Sequence, residues 1–505
     1  MASHFAAYFE VESSHHVTSP AAVLRRDDQI STATSSNHEL VELQSTGSIV
    51  QRPGAFASSP GFDDAGLDNA SPLDPESLSP RPGSPKGEPG VSASQLVSTD
   101  IVPSINNPAR NKWRIASACC MFLSNGMSDS APGALIPYME QDFHIGYAIV
   151  SLIFVTNALG FILAAPLTHW LESRFGRSRT IMICQVPLFT GYLIMVCKAP
   201  FPAVVFSYFL IGLGVAVNLA LNNVFIANLA NATELLGINH GFYGVGGTIA
   251  PLIATALASN GVHWTFFYII NLTFAAINLL FAGWAFKGYE TDMPVQALAG
   301  QIQDVEGSPK KKNLIWKAVK TKATLLGALF IFAYQGAEVS ISGWIVSFLI
   351  NYRNGDPAHV GYVSAGFWAG ITVGRFVLSY PARRLGERLA VFFLVGGAIA
   401  FQIMCWLIPN IIGEAVIVAI VGLLLGPIYP CATVVLNRLL PRDIQTTSLG
   451  LVSAMGSSGG AIAPFVTGIL AQSVGTVVLH PICLGLYGAM ILTWMLLPRT
   501  SRRED

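Results

Sequence analysis

Two carboxylates stand in the middle of long apolar runs, Asp129 in Gly126-Met127-Ser128-Asp129-Ser130 and Glu338 in Gly336-Ala337-Glu338-Val339-Ser340. An ionised side chain at bilayer depth costs about 3 kcal/mol even on insertion scales, so it faces a cavity or a partner. There it loads and releases a proton, holds a polar ligand, or locks helices through a nearby hydroxyl or amide. Asp129 and Glu338 are therefore the candidates for proton coupling. Asn218, Asn222 and Gln335 carry both donors and acceptors, which suits a hydroxyl-rich or amide-bearing ligand. Asn218 and Asn222 are four apart and share a helix face, and interhelical hydrogen bonding is the other use for such amides. Trp344 and Trp368 offer flat faces to a ring, or pack at lipid and interface.

Other chemistries find no support. The chain has no HExxH and no P-loop, so neither an enzyme nor an ATP-driven pump is expected. The seven cysteines lie in apolar stretches without zinc or redox spacing, and no metal or cofactor is expected. Lys plus Arg equals Asp plus Glu at 29 each, which leaves no net field to attract nucleic acid. Energy must come from an ion or solute gradient.

The elements that position these residues are membrane helices. Of 505 residues, 52% are apolar and only 11% charged, and the mean hydropathy is +0.52. A soluble domain carries about a quarter charged residues, so the solvent here is lipid. Residues 1–110 are rich in Ser, Pro, Gly and acids and read as a disordered cytoplasmic tail, with Ser-Pro pairs at Ser19, Ser59, Ser71, Ser79 and Ser84. No cleavable leader is expected from this polar opening stretch. From Trp113 onward, apolar runs of bilayer length predict twelve helices. Six fall near 113–138, 146–171, 180–198, 201–229, 240–260 and 262–286. Six more fall near 322–350, 358–381, 389–409, 413–438, 445–473 and 476–498, followed by a short tail at 499–505. The halves span 111–286 and 322–498, joined by a cytoplasmic linker at 287–321.

Lys and Arg beside membrane helices mark the cytoplasmic side. They cluster before helix 1 (Arg110, Lys112, Arg114), after helix 2 (Arg174, Arg177, Arg179), in the linker (Lys310, Lys311, Lys312, Lys317, Lys320) and after helix 8 (Arg383, Arg384). Both termini are therefore expected in the cytoplasm. Arg375 lies toward that end of helix 8. The chain also repeats itself. Gly246-Gly247-Thr248-Ile249-Ala250-Pro251 returns as Gly459-Gly460-Ala461-Ile462-Ala463-Pro464, Arg174-Phe175-Gly176 as Arg384-Leu385-Gly386, and Gly126 and Gly133 as Gly336 and Gly343. Nearly constant spacing between landmarks indicates two parallel repeats, an architecture with a central site between rocking halves.

The segment from His169 to Arg179 resembles the loop signature of the major facilitator superfamily: Arg174, Gly176 and Arg177 match it, while His169 and Ser173 replace its first Gly and its Asp, with Glu172 adjacent. The resemblance implies a gating loop at Arg174, Gly176 and Arg177, repeated at Arg384 and Gly386. Asn125 to Pro137, Gly336 to Trp344, His240 to Gly246 and Gly426 to Pro430 are similar to the branch holding the fucose permeases and their fungal relatives. Helix 4 departs from sugar-carrying relatives, with Asn218, Asn222 and Asn223 where an acid is usual. The fold class expected is an all-α membrane protein, two pseudo-symmetric six-helix bundles. The function expected is proton-coupled transport of a small organic solute, a sugar or polyol favoured. Export of a hydrophobic metabolite or drug, and nutrient sensing through the tail, are the alternatives. A monomer in the plasma membrane is expected, with the vacuolar membrane as the other candidate.

Overall fold

The computed structural model describes residues 103–292, 309–441 and 444–498. The Ser-Pro pairs, most of the expected tail and the middle of the expected linker lie outside the described residues.

Among the described residues, nine helical stretches are long and apolar enough to cross a membrane. One of them, Tyr147–Val196, holds two of the expected helices. The two others missing from that tally have plain reasons. The first helix is diluted by polar residues, and the eighth is only 16 residues long. The first half comprises α1 (Asn111–Phe143), α2 (Leu152–Ile183), α3 (Gln185–Val196), α4 (Phe201–Ala227), α5 (Ala232–Ser259) and α6 (Tyr268–Ala285). The second comprises α7 (Lys322–Asn351), α8 (Tyr362–Val377), α9 (Glu387–Leu407), α10 in two pieces (Ile411–Leu425 and Ile428–Leu439), α11 (Gln445–Val474) and α12 (Leu479–Leu496). The twelve-helix expectation holds, with local corrections. The loop after helix 2 is helical apart from Gly176, whose φ of 75° and ψ of 167° break the run. Helix 10 is interrupted before Ile428 because Pro427 has no N–H to donate and its ring crowds the preceding turn. Helix 8 ends at Val377, and a separate segment, Ser379–Leu385, carries the basic residues.

Burial separates the central helices from the peripheral ones. In the apolar window of α7, 72% is buried against protein, against 33% in α9 and in the span of α6, which therefore turn most of their surface to lipid. Without a hydrophobic driving force between helices in lipid, close backbone approach at small residues supplies the cohesion. The two halves do this at matching positions. A β-carbon on Gly160 of α2 would lie 2.3 Å from the carbonyl oxygen of Phe209 in α4, and one on Gly370 of α8 would lie 2.1 Å from that of Ala419 in α10. From the other side, Gly212 meets the Asn157 carbonyl and Gly422 the Phe367 carbonyl. All four residues of the first set are displaced by 210 in the second, the offset of the sequence landmarks. The repeat is therefore a repeat of packing seams as well as of sequence.

The halves meet closely at the end opposite the basic loops. A β-carbon on Gly133 of α1 would lie 1.9 Å from the Ser342 carbonyl oxygen of α7, and the Tyr138 hydroxyl donates to the Pro357 carbonyl at 3.4 Å. At the basic end, Arg177 pairs with Glu172 at 2.7 Å and donates to the Tyr289 hydroxyl at 3.1 Å. Buried Arg114 pairs with Asp292 at 2.6 Å, and both guanidiniums lie over the Tyr289 ring, at 5.2 and 5.4 Å. Pro103, within the segment assigned to the tail, accepts at its carbonyl from the Ala230 amide at 2.7 Å, so the chain is already docked there.

Candidate functional site

The site begins with a pair of helices brought into backbone contact. Gly126 of α1 lies against the Tyr243 carbonyl of α5, and Gly246 lies against the Leu123 carbonyl, each with room for no side chain. One turn beyond Gly126, Asp129 consequently falls within reach of the Tyr243 side chain, whose hydroxyl donates to Asp129 Oδ2 at 2.5 Å. The same logic applies across α7 and α11, where Gly459 abuts the Phe332 carbonyl. Glu338 of α7 is thereby turned inward and is only 8% exposed.

Both carboxylates open onto one cavity between the halves, with about 1040 Å³ of empty space including its mouth. Four of the seven residues assigned to chemistry line it: Asp129, Glu338, Gln335 and Trp368. Gln335 Oε1 is buried without a hydrogen-bond partner among the described residues, an acceptor-bearing amide at the wall of a ligand-sized space. Trp368 Nε1 donates to Ser342 Oγ at 2.9 Å, which fixes the indole, and its ring lies 6.2 Å from that of Tyr243.

The other three stand elsewhere. Asn218 and Asn222 are fully buried and face α1: Asn222 Nδ2 donates to Asn218 Oδ1 at 2.5 Å, and Asn218 Nδ2 to Asn125 Oδ1 at 3.3 Å. Their shared helix face is thus spent on interhelical bonding. Trp344 is fully buried behind the cavity wall, where its Nε1 donates to the Pro464 carbonyl at 2.9 Å and its ring meets Tyr147 and Phe154 of the opposite half. It packs the seal between halves.

The structure adds residues that the sequence reading passed over. Ser128, Asn157, Tyr208, Tyr243 and Ser342 line the cavity, and the Tyr208 and Tyr268 hydroxyls share a hydrogen bond of 2.9 Å. Hydroxyls carry little insertion cost, so their presence in an apolar run gives no alarm. Arg375 lies deeper than its place near the end of helix 8 suggested, within electrostatic range of Glu338, Tyr334 and Tyr243. Asp129 in turn feels the charge of Glu338. Glu338 thus stands within electrostatic range of both Asp129 and Arg375. A further buried carboxylate, Glu414, is held by Arg353 Nε at 2.5 Å away from this cavity.

In the expected gating loop, Arg177 is buried and paired, and Gly176 supplies the left-handed turn, while Arg174 and Arg384 are exposed. Glu172 takes up Arg177, so an acid beside the expected position does the pairing. Arg384 donates to the Tyr380 hydroxyl, and Gly386, with φ of 91°, turns the chain into α9. Among the described residues no group of His, Cys, Asp and Glu could hold a metal ion.

Comparison with known proteins agrees with this architecture. "Bypass of stop codon protein 6" of Saccharomyces cerevisiae is 28% identical over 420 residues, covering 78% of this chain and 84% of that protein. The "Glucose/mannose transporter GlcP" of Bacillus subtilis is 23% identical over 350 residues, covering 69% and 85%. The crystal structure of a D-xylose-proton symporter superposes with a TM-score of 0.62 at 14% identity, covering 77% of this chain and 98% of the other. A family model described as the Major Facilitator Superfamily matches residues 118–464. With twelve membrane helices among the described residues, in two seam-matched halves around a shared cavity, this chain is a multi-pass membrane protein that belongs to the Major Facilitator Superfamily.

Proposed function

We propose that the protein moves a sugar or polyol together with protons through the central cavity, as a monomer, with both termini in the cytoplasm and the plasma membrane as its site. The observation that carries this reading is the convergence of Asp129, Glu338, Gln335 and Trp368 on one cavity between the halves. Flat indole, open amide acceptor and ionisable oxygens are the groups that recognise a ring bearing hydroxyls. The glucose and mannose named for the Bacillus relative point the same way. Arg375 compensates one carboxylate, and the proton that neutralises the other is the natural coupling ion.

The test is uptake of labelled hexoses and polyols by transport-null cells and by proteoliposomes with an imposed pH gradient. Accumulation that collapses with a protonophore is expected. Absence of flux for every sugar and polyol, together with raised tolerance to a hydrophobic toxin, would move the reading to export of apolar compounds. Orientation has its own check, because Cys197 is the exposed cysteine among the described residues and lies in the turn after α3. An impermeant maleimide should label intact cells at that position, and Cys197→Ser should remove the label. Labelling that appears only after permeabilisation would reverse the topology.

A further inference from the structure

The segment between the halves contains a helix, Pro309–Lys320, with sequence PKKKNLIWKAVK. Only Thr321 separates it from α7, and that residue is extended, with φ of −78° and ψ of 120°. The helix therefore lies at the membrane surface by covalent necessity. Ala318 is fully buried against the protein, while Ile315 is 47% exposed, Trp316 61% and Val319 37%. At about 100° per residue these three occupy one arc of the helix. Lys320, and beyond it Lys317, border the arc on its Trp316 side, and Lys320 Nζ lies 5.0 Å over the Trp316 ring. Six lysines, Lys310, Lys311, Lys312, Lys317, Lys320 and Lys322, fall between Pro309 and Glu338 without one acidic residue.

A second observation fixes the level of the bilayer surface. Trp113 at the start of α1 and Trp284 near the end of α6 are half exposed and meet edge to face at 5.5 Å. Both belong to the end of the bundle where α7 begins. Exposed tryptophans at helix ends mark the lipid headgroup region, so Trp316 belongs to the same belt.

We propose that Pro309–Lys320 is an interfacial helix that binds anionic phospholipid headgroups, with its Ile315-Trp316-Val319 face in the acyl boundary and its lysines on phosphate and carboxylate groups. An apolar arc bordered by cations is the pattern that binds an anionic lipid surface. Left in water, the arc would expose three large apolar side chains next to a membrane able to cover them. Bound to lipid, the helix ties the entry of α7 to the bilayer plane and makes the second half responsive to leaflet charge.

The test uses the full chain in nanodiscs of phosphatidylcholine alone and of phosphatidylcholine with phosphatidylserine, followed by hydrogen exchange over 309–320. Exchange about tenfold slower in the anionic discs is expected, since each lysine near a charged surface adds a comparable electrostatic increment. The triple variant Lys317→Gln, Lys320→Gln, Lys322→Gln should erase that difference. In parallel, brominated lipid should quench the fluorescence difference between the wild type and Trp316→Phe. Equal exchange in the two lipids, with no quenching of Trp316, overturns the proposal. So does protection that is independent of lipid but vanishes when residues 1–102 are removed, which would assign the face to the chain's own tail.

Discussion

Asp129→Asn and Glu338→Gln should each abolish accumulation of substrate against a gradient while exchange of labelled for unlabelled substrate continues in part. The two acids share the cavity, and Arg375 lies within electrostatic range of Glu338. Closing the cavity around substrate and an unpaired carboxylate costs about 3 kcal/mol, roughly two orders of magnitude in the rate of the loaded step. Protonation removes that barrier in the native protein and makes the crossing of the loaded carrier conditional on the proton. An amide or a permanently neutral side chain removes the condition, so the solute still crosses but the two fluxes are no longer linked. Exchange needs no return of the empty carrier and therefore survives. The assay is uptake in proteoliposomes at a fixed inward proton gradient, beside counterflow at equal pH. If both variants reach the membrane normally and still concentrate substrate in a pH-dependent manner, the carboxylates are structural and the coupling group lies elsewhere.

The second large effect concerns a glycine that faces the other half. A β-carbon on Gly133 would approach the Ser342 carbonyl oxygen to 1.9 Å and Ser364 Oγ to 3.2 Å. Ordinary contact requires well over a further ångström, and overpacking of this kind costs about 1–3 kcal/mol where the neighbours can move. Here they can move, because the contact joins two bodies and not the interior of one. Gly133→Val should therefore fold, keep its thermal midpoint within a few degrees of wild type by the usual size scaling, and lose nearly all transport because the seal opposite the basic loops cannot form. Gly212→Val is the control. Its β-carbon would lie 2.1 Å from the Asn157 carbonyl oxygen inside the first half, where no rigid motion relieves it. That variant should be recovered poorly or aggregated. Normal flux through Gly133→Val in proteoliposomes would show that the two halves need not approach at this point.

Much of this was legible in the sequence because lipid imposes simple rules. Length of apolar run, Lys and Arg placement and a 210-residue repeat determine helices and halves, and the structure follows them down to the paired glycine seams. The residues singled out in the sequence that line the cavity, Asp129, Glu338, Gln335 and Trp368, share a property visible in one dimension: each is polar or bulky on a central helix of its half. What could not be read was direction across helices. Asn218 and Asn222 have the right spacing for one face, yet nothing in their spacing says whether that face meets α1 or the cavity. Asn125, four residues before Asp129, takes one of them up. Arg375 poses a related difficulty, since a long side chain near a helix end can turn toward the charge of Glu338 as readily as outward. Tyr243 and Tyr208 went unseen because a phenol in an apolar run looks like packing until its hydroxyl is placed.

The matched glycine seams have a mechanical meaning. Where Gly160 and Gly212 press α2 onto α4, and Gly370 and Gly422 press α8 onto α10, main chain rests on main chain with no layer of side chains between them to slide or repack. Such a joint is stiff in shear. The seam around Gly133 and Ser342, by contrast, is one backbone contact amid side chains drawn from both bodies, such as Trp344, Tyr147 and Phe154. Elastic compliance is thus unevenly distributed, low inside each half and high between them. A load applied by substrate or proton at the cavity is transmitted through each bundle almost undamped and is released at the far seam.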